Sequence, residues 1–519
     1  MPKTHKVAIV AVAVVTALAG LANPIPDIAY MGLRLGEHIV RRHSLAPADY
    51  LSYLPISSGW WDTSWLWNAI SCVLFSVGGE FALRALAALA STLLAILIYK
   101  ISSAQEPVDV VAVSFVPAFM VLRDSLSFRP MIASLVFFAA QMLFLERRSA
   151  RAWKFTLLYL AWAQVDHAFV AGLTYLISYL FMEKSVPRGR KIAWALAAII
   201  GSAPSPNMWQ FARHFSSIVI IFEPTEDFHV FFNMLQALAV FSGLACAAYM
   251  RERSGRAVAL LVLAVLGLIA GEYFPLSALA AIPIITALEK SLTAGALQPV
   301  LKAGRRAILL YVAIGVLIVA LAPHRRMDAD DKIIIFLKSH PMFGQIFAPW
   351  QIGGRVGYIT GKKIVIDGEH IFYNWGAFDV YKRLNSAEDP EWDGLTLRYG
   401  IGGIIVPTSA FYYRILGSKP EWALVFDSGE YLFFVRDGGL NSTLLDRWGR
   451  LNAREVEKGS PEFALNRLKE KAKEWEKKGN PYEARWYLIT LLASDPNDRE
   501  AQQLLARVER QITEAGRKR

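Results

Sequence analysis

Residues 80–100 read EFALRALAALASTLLAILIYK, with Glu80 and Arg84 near one end, Lys100 at the other, and no charge between Arg84 and Lys100. An α-helix over 80–99 would be about 30 Å long at ~1.5 Å per residue, the hydrocarbon thickness of a bilayer. A helix on the surface of a water-soluble domain needs a polar face, and this stretch has none. It reads as a membrane span.

Working outward, similar apolar runs lie at 7–23, 108–122, 130–146, 153–168, 170–183, 190–204, 228–250, 257–271, 274–289 and 306–322, which makes about eleven spans, several of them near the short limit for crossing. The whole chain of 519 residues is 54% AVILMFWYC and only 19% charged, with charge sparse up to Ala322 and dense after it. The mean hydropathy of +0.33 therefore averages an apolar first part with a polar tail. This excludes a soluble enzyme, a disordered scaffold and a collagen-like fibre. The only cysteines, Cys72 and Cys246, both sit in apolar stretches, so neither a disulfide framework nor a Cys-rich zinc site can be built. The net charge of +11 does not point to nucleic acid, because most basic residues of the first part fall in short loops between spans, where they act as topology signals.

With the amino terminus cytoplasmic, eighteen Lys and Arg residues fall in the inner loops, from Lys3 and Lys6 to Arg305 and Arg306. The other side holds seven: Arg34, Arg41, Arg42, Arg84, Arg123, Arg129 and Arg213. This positive-inside bias places everything after Pro323 on the extracytoplasmic side. The first span also ends in small residues like a cleavable signal, and cleavage there would leave the other orientations unchanged. Carboxylates collect on the outer side, with Asp27, Glu37, Asp49, Asp62, Asp124, Asp166, Glu223, Glu226, Asp227 and Glu272 on or just under that face. An acidic rim at a membrane surface is a candidate site.

The first outer loop, about 24–65, holds Asn23-Pro-Ile-Pro-Asp27, an amphipathic stretch through Val40, Pro47-Ala-Asp49-Tyr-Leu-Ser-Tyr53, and Gly59-Trp-Trp-Asp62-Thr-Ser-Trp65. Trp60, Trp61, Trp65 and Trp67 suit the bilayer interface. Asp27 follows the first span directly, and is either a carboxylate held at headgroup depth for chemistry or the N-cap of a helix starting at Ile28.

A first span ending at an Asp, a long first outer loop with an amphipathic helix, and the Asp49-x-x-Ser-Tyr53 segment resemble the GT-C superfamily of membrane glycosyltransferases, and within it the catalytic subunit of oligosaccharyltransferase. Arg123-Asp-Ser-Leu-Ser-Phe-Arg-Pro130 lies where that family has its second outer loop. Trp162-Ala-Gln-Val-Asp-His-Ala-Phe169 is similar to its following Trp-containing span, and Phe222-Glu223-Pro-Thr to its later outer-loop glutamate motif. Trp350-Gln-Ile-Gly353, with Val356 to Gly368 beyond it, resembles the Trp-Trp-Asp-Tyr-Gly segment and the strand after it. The likeness runs in order over roughly 7–440.

There are two departures from the family. Its metal-holding Asp-x-Asp would fall near Arg129-Pro130 and is absent, and the acceptor-recognising Asp is Gln351. Both argue against Asn-x-Ser/Thr glycosylation and bring the chain nearer to bacterial GT-C-like membrane proteins with a terminal soluble domain.

The resemblance implies transfer of a sugar from a polyprenyl-linked donor at the outer face, with Asp27 as the catalytic carboxylate. Arg123 and Arg129, backed by Arg213, His214 and His229, would offset the charge on the leaving phosphate, or else contact headgroups. Asp166 and Glu223 are supporting acids, and Trp350 and Gln351 lie on the acceptor side. Asp166 could instead simply pair with an outer arginine. If a metal binds, the oxygen ligands Asp27 and Glu223 favour Mg2+ or Mn2+, while the missing Asp-x-Asp favours a metal-free mechanism. The expected partners are the polyprenyl-linked donor and membrane lipid.

The tail alternates helix and strand: a helix at 332–338, strands at 345–348 and 363–366, helices at 376–383 and 392–399, and strands at 402–406, 423–426 and 431–435. Gly353-Gly354, Gly361 and Gly368 read as turns, and Asp367 as a strand-end residue. Asn441-Ser-Thr443 fits a glycosylation triplet, a pattern common by chance. Beyond it, Gly479-Asn-Pro-Tyr-Glu-Ala484, Tyr487, Asp495-Pro496 and Ala501 match tetratricopeptide spacing for about one and a half repeats, which either dock a protein partner or form a capping helix pair.

The expected architecture is therefore a polytopic α-helical, GT-C-like membrane domain over 1–322, an extracytoplasmic α/β domain over 323–440, a linker over 441–459, and a tetratricopeptide-like segment over 460–519. The alternative to a transferase is a catalytically degenerate scaffold of the same fold. A transporter would show paired, interrupted halves, and no such symmetry is visible.

Overall fold

The computed structural model describes residues 16–18, 20, 21, 23–46, 50–54, 62–102, 127–146, 150–214, 254–269, 275–281, 284, 328–365, 375–385, 389–408, 413–428, 430–448, 498–517 and scattered positions between 469 and 492. They form two compact units divided between Ile405 and Val406.

The first unit opens with α1 (Asp27–Arg42). Extended Pro26 is its N-cap, Asp27 complements the dipole in the first turn, Arg41 and Arg42 do so in the last, and left-handed His43 ends it. Its buried face is Ala29, Tyr30, Met31, Leu33, Leu35 and Gly36.

Helix α2 (Trp65–Ser102) is broken at Gly78 and Gly79, where Gly79 takes φ 57 and ψ −149, a conformation open only to glycine. The part beyond the break is the run read from sequence as a span. Among the described residues α2 is the one helix long and apolar enough to cross a membrane.

The next four spans appear as α3 (Pro130–Glu146), α4 (Ala152–Val165), α5 (Phe169–Met182) and α6 (Arg188–Ser202). Only α4 is shorter than the run read for it, ending at Val165 where the chain turns at Asp166, while α3, α5 and α6 have the lengths expected. With 14 residues each, α4 and α5 are about 21 Å long. Helix α7 (Pro206–His214) follows, and α8 (Ser254–Ile269) covers most of the run at 257–271. The spans expected at 108–122, 228–250 and 306–322, most of 7–23 and half of 274–289 lie outside the described residues.

These helices are apolar on both sides. Phe138, Phe155, Tyr159, Trp162 and Trp194 fill the interior, while Trp153, Leu157, Ile177, Phe181, Leu196 and Ile200 are exposed. An apolar exterior around a packed interior suits a lipid solvent.

Helix α9 (Asp328–Ser339), β1 (Gln345–Phe347), α10 (Trp350–Thr360), α11 (Trp375–Leu384), α12 (Trp392–Arg398) and the first five residues of β2 (Ile401–Pro407) complete the unit. Strands β1 and β2 pair in parallel, Ile346 opposite Gly403. Of the strand expected at 363–366, the described residues 363–365 form one bridge and no ladder. Ile364 makes an isolated bridge to Ser52, exchanging hydrogen bonds with Leu51 (3.0 Å) and Tyr53 (3.1 Å), so this segment is tied to the first outer loop.

In the second unit, β3 (Trp422–Asp427) and β4 (Tyr431–Arg436) form an antiparallel hairpin, with α13 (Tyr413–Ser418) packed on β3 and α14 (Leu440–Trp448) on both strands. Asn441 of the glycosylation triplet is buried in the first turn of α14. Farther on, α15 (Arg499–Arg517) buries Ala501, Leu504 and Val508 against Ala472, Ala484 and Leu488.

Candidate functional site

Both oxygens of the Asp27 carboxylate accept backbone N–H groups from α10, Oδ2 from Gly354 at 2.5 Å and Oδ1 from Arg355 at 2.9 Å. The side chain thus engages a helix more than three hundred residues away, beyond either role foreseen for it. Two turns along α1, Arg34 donates to the far end of the same helix, to Gly357 O (3.3 Å), Gly361 O (2.8 Å) and Lys362 O. The Arg34 guanidinium also lies 5.4 Å from the centre of the Tyr50 ring. The Arg34 guanidinium on the carbonyls at the carboxy-terminal end complements the α10 dipole, while Asp27 meets amides in the middle of the helix.

The sequence permits this approach only because Gly354 lacks a side chain: a Cβ there would lie 2.5 Å from Asp27 O and 2.6 Å from its Oδ2. On the other side of α1, a Cβ on Gly36 would meet Asn68 O at 2.0 Å, so α1 is pressed against α2 as well. Gly353 and Gly354 therefore lie inside a helix, with Gly354 at the contact, and not in the turn expected. Gly361, left-handed at φ 66, does end a helix.

Asn68 connects to a buried acid. Its Nδ2 donates to Asp62 Oδ1 at 2.9 Å and Oδ2 at 3.1 Å, and Ser64 N–H adds a bond at 3.0 Å. Burial pushes the Asp62 carboxyl up to about 6, against the pull of these donors. Nearby, Asn207 Nδ2 donates to Thr63 O (2.7 Å) and Ala163 O (2.8 Å), locking the end of the first outer loop to α4.

The chain neighbours of three sequence-selected residues share one apolar cluster: Ile25 and Ala29 beside Asp27, Phe128 beside Arg129, and Val165 beside Asp166. Asp27, Arg129 and Asp166 thus each adjoin this cluster along the chain. Arg129 is exposed at the start of α3. Asp166 is buried, accepting from Ser134 Oγ at 2.5 Å with His167 Nδ1 3.0 Å away, while Trp162 Nε1 donates to the same Ser134 at 2.8 Å. The acid that sequence offers for pairing with an arginine is met here by a serine and a histidine. Trp350, 42% exposed, and Gln351 occupy the first turn of α10, where the Tyr381 hydroxyl accepts the Trp350 N–H at 3.2 Å. Arg213 and His214 fall in the last turn of α7, and Arg123, Glu223 and His229 lie outside the described residues.

Arg34, Asn68 and Arg355 escaped the sequence reading. Arg355 is buried with its guanidinium 5.0 Å from the centre of the Tyr30 ring, and the Tyr30 hydroxyl donates to Glu80. The available signal was glycine spacing, Gly32-x-x-x-Gly36 and Gly353-Gly354-x-x-Gly357, which marks close backbone approach. Among the described residues no group of three or more His, Cys, Asp or Glu side chains could hold a metal ion. With Asp27 engaged by two amides and Glu223 outside those residues, no step is routed through a metal.

No family model matches the chain, and no curated protein does. Solved structures do. The apo oligosaccharyltransferase of the archaeon Archaeoglobus fulgidus matches with a TM-score of 0.51, over 80% of this chain and 71% of that one, at 12% identity. AglB from the same organism, in complex with an inhibitory peptide and a dolichol-phosphate, matches with a TM-score of 0.52, over 96% of this chain and 86% of that one, at 10% identity. The fold is that of an archaeal oligosaccharyltransferase.

Proposed function

We propose that the chain is a membrane glycosyltransferase that moves a sugar from a polyprenyl-phosphate-linked donor to an acceptor at the extracytoplasmic membrane face. The observation that supports it is the Asp27 carboxylate at the amide side of α10, within a turn or so of Trp350 and Gln351, in a chain with an oligosaccharyltransferase fold. The acceptor nucleophile bonds to the anomeric carbon and passes its proton to Asp27. The bond from that carbon to the donor phosphate oxygen breaks, and its electron pair leaves with the phosphate. Arg129, with Arg123, Arg213 and His214, offsets the charge that develops there. Asp166 supports the rim, and Trp350 and Gln351 face the acceptor. About eleven spans, a cytoplasmic amino terminus and extracytoplasmic carboxy-terminal domains belong to this reading.

The test is sugar transfer by purified, reconstituted Asp27→Asn, with thermal unfolding as a folding control. The expected loss is at least about a hundredfold. Transfer at the parental rate would sink the reading.

The engagement of both Asp27 oxygens supports a second reading, a degenerate GT-C-fold scaffold that docks a partner through a tetratricopeptide-like tail. It requires Asp27→Asn to be harmless in cells and deletion of 460–519 to abolish function.

A further inference from the structure

Helices α4 and α6 run parallel and in step. Trp194 Nε1 donates to Ala150 O at 2.9 Å, a Cβ on Gly201 would lie 2.3 Å from Thr156 O, and Ser205 Oγ donates to Ala163 O at 2.6 Å. Their amino-terminal ends therefore lie side by side, and that shared end is basic. Arg151 is the N-cap of α4 with Lys154 in the first turn, Arg188 opens α6 with Lys191 one turn on, and Lys184 precedes them in the turn from α5. Arg151, Lys184 and Arg188 are exposed, and none of the five forms an ion pair among the described residues. The neighbouring acids are engaged: Glu146 pairs with Arg256, and Glu183 accepts the N–H and the hydroxyl of Ser185.

A topology signal needs cations only somewhere in the loop. Here they sit on the starts of two helices, the positive ends of the dipoles, where acids are favoured and cations are costly. Neither helix has an acid in its first turn or a side-chain cap to offset them. The complement must come from outside the chain, and the surroundings specify its kind. An exposed apolar stripe leads away from the basic end on each helix, Trp153, Leu157 and Leu160 on α4 and Ile192, Leu196 and Ile200 on α6. The spacings of three and four residues keep each stripe on one helix face. We propose that the paired starts of α4 and α6 bind the headgroup of an anionic phospholipid whose acyl chains lie along these stripes. Several cations at headgroup depth with hydrocarbon-facing surface beside them suit a lipid-borne anion, not a free one. The inference rests on the membrane reading and is independent of transfer chemistry.

The test uses the full chain in dodecyl maltoside micelles, titrated with phosphatidylglycerol or with phosphatidylcholine of the same acyl chains and read by native mass spectrometry. The parent is expected to retain phosphatidylglycerol about fivefold more tightly, and the triple variant Arg151→Gln, Arg188→Gln, Lys191→Gln to hold the two lipids equally. Removing the same charge from exposed lysines of the tail, with Lys332→Gln, Lys338→Gln and Lys382→Gln together, leaves the preference intact. Arg188→Glu supplies the missing first-turn acid. Its unfolding temperature in lipid-free micelles rises above the parent's while its preference for phosphatidylglycerol falls, a pair of changes that misfolding cannot imitate. Equal retention of both lipids by the parent would overturn the site, as would an undiminished preference in the Arg151, Arg188 and Lys191 variant or a preference lost equally in the tail variant. Displacement of the lipid by millimolar inorganic phosphate would also overturn it, by assigning the cations to a free anion. Sugar transfer by Asp27→Asn bears on none of these outcomes, so the lipid site and the transferase reading stand or fall separately.

Discussion

Arg34 donates to the carbonyl oxygen of Gly361 across 2.8 Å at a sequence separation of 327, the same separation at which Asp27 accepts from Gly354. Equal separations at both ends mean that α1 and α10 run parallel and in step, the two contacts lying seven positions apart along each segment. The pair is held by charge at both contacts, and the missing side chain of Gly354 gives the close approach at the Asp27 contact.

Gly354→Ala forces a methyl group into space that the Asp27 backbone and carboxylate occupy. Overpacking of this kind costs about 1–3 kcal/mol, so the unfolding temperature falls. Gly394→Ala is the matched control, because its Cβ would meet nothing within 4 Å. It is expected to leave stability unchanged or slightly raised. Equal effects of the two substitutions in thermal unfolding would refute the close contact.

Arg34→Ala leaves the carbonyls at the end of α10 without their charged donor, a loss of about 1.5–3 kcal/mol for hydrogen bonds to a charged group. Hydrogen exchange is expected to quicken over α10 and at Ile364, which bridges to the first outer loop. Arg34→Lys restores only part of the protection, since an ammonium cannot reproduce the guanidinium fork across three carbonyls.

Much of this fold was legible locally. The strand expected at 431–435 is β4, and the helix expected at 392–399 is α12, because the alternation and caps that define them lie within a few residues. The segment 363–366 shows why locality fails. Its apolar residues read as a strand, but their partner is Ser52 in a loop three hundred residues earlier, which leaves one bridge instead of a ladder. The Asp27–Gly354 contact was hidden in the same way: Pro26 and Ile28 suggest a cap for its own helix, and no nearby residue announces Gly354. Even the shortness of α4 had a visible cause, the polar Asp166-His167 pair that ends it.

Asp62 makes stability depend on pH. Its carboxyl is raised from 3.8 to about 6 in the folded chain, so between these values the folded state binds more protons than the unfolded one. The stabilisation is present in full below about pH 4 and is lost as pH rises through about 6, a swing of about 3 kcal/mol. The unfolding temperature of the parent is therefore expected to climb between pH 7 and 5 relative to Asp62→Asn. Parallel profiles for the two proteins would show that Asp62 is not the group responsible.

Exposed Trp153, in the first turn of α4, and exposed Trp209, on α7 past the other end of that helix, mark opposite edges of the apolar bundle. Aromatic side chains at such edges settle at the two headgroup layers. In sealed vesicles, the fluorescence lost in Trp153→Phe and in Trp209→Phe is expected to differ in its response to an impermeant quencher added outside, with one signal quenched and the other protected. Quenching of both from one side would rule out a span between them.

The contact between Asp27 and Gly354 also sets an order of manufacture. At ~10 residues per second a ribosome needs on the order of half a minute to add the 327 residues between them, so the first loop emerges and waits without the helix that completes it. Both partners must also arrive in the same compartment, which demands an even number of crossings between them; the ten spans expected after the first have that parity. A translocation error that inverted one intervening helix would put α1 and α10 on opposite sides of the bilayer. If the chain has that topology, assembly of the Asp27 site would report any single crossing between them that had been threaded the wrong way.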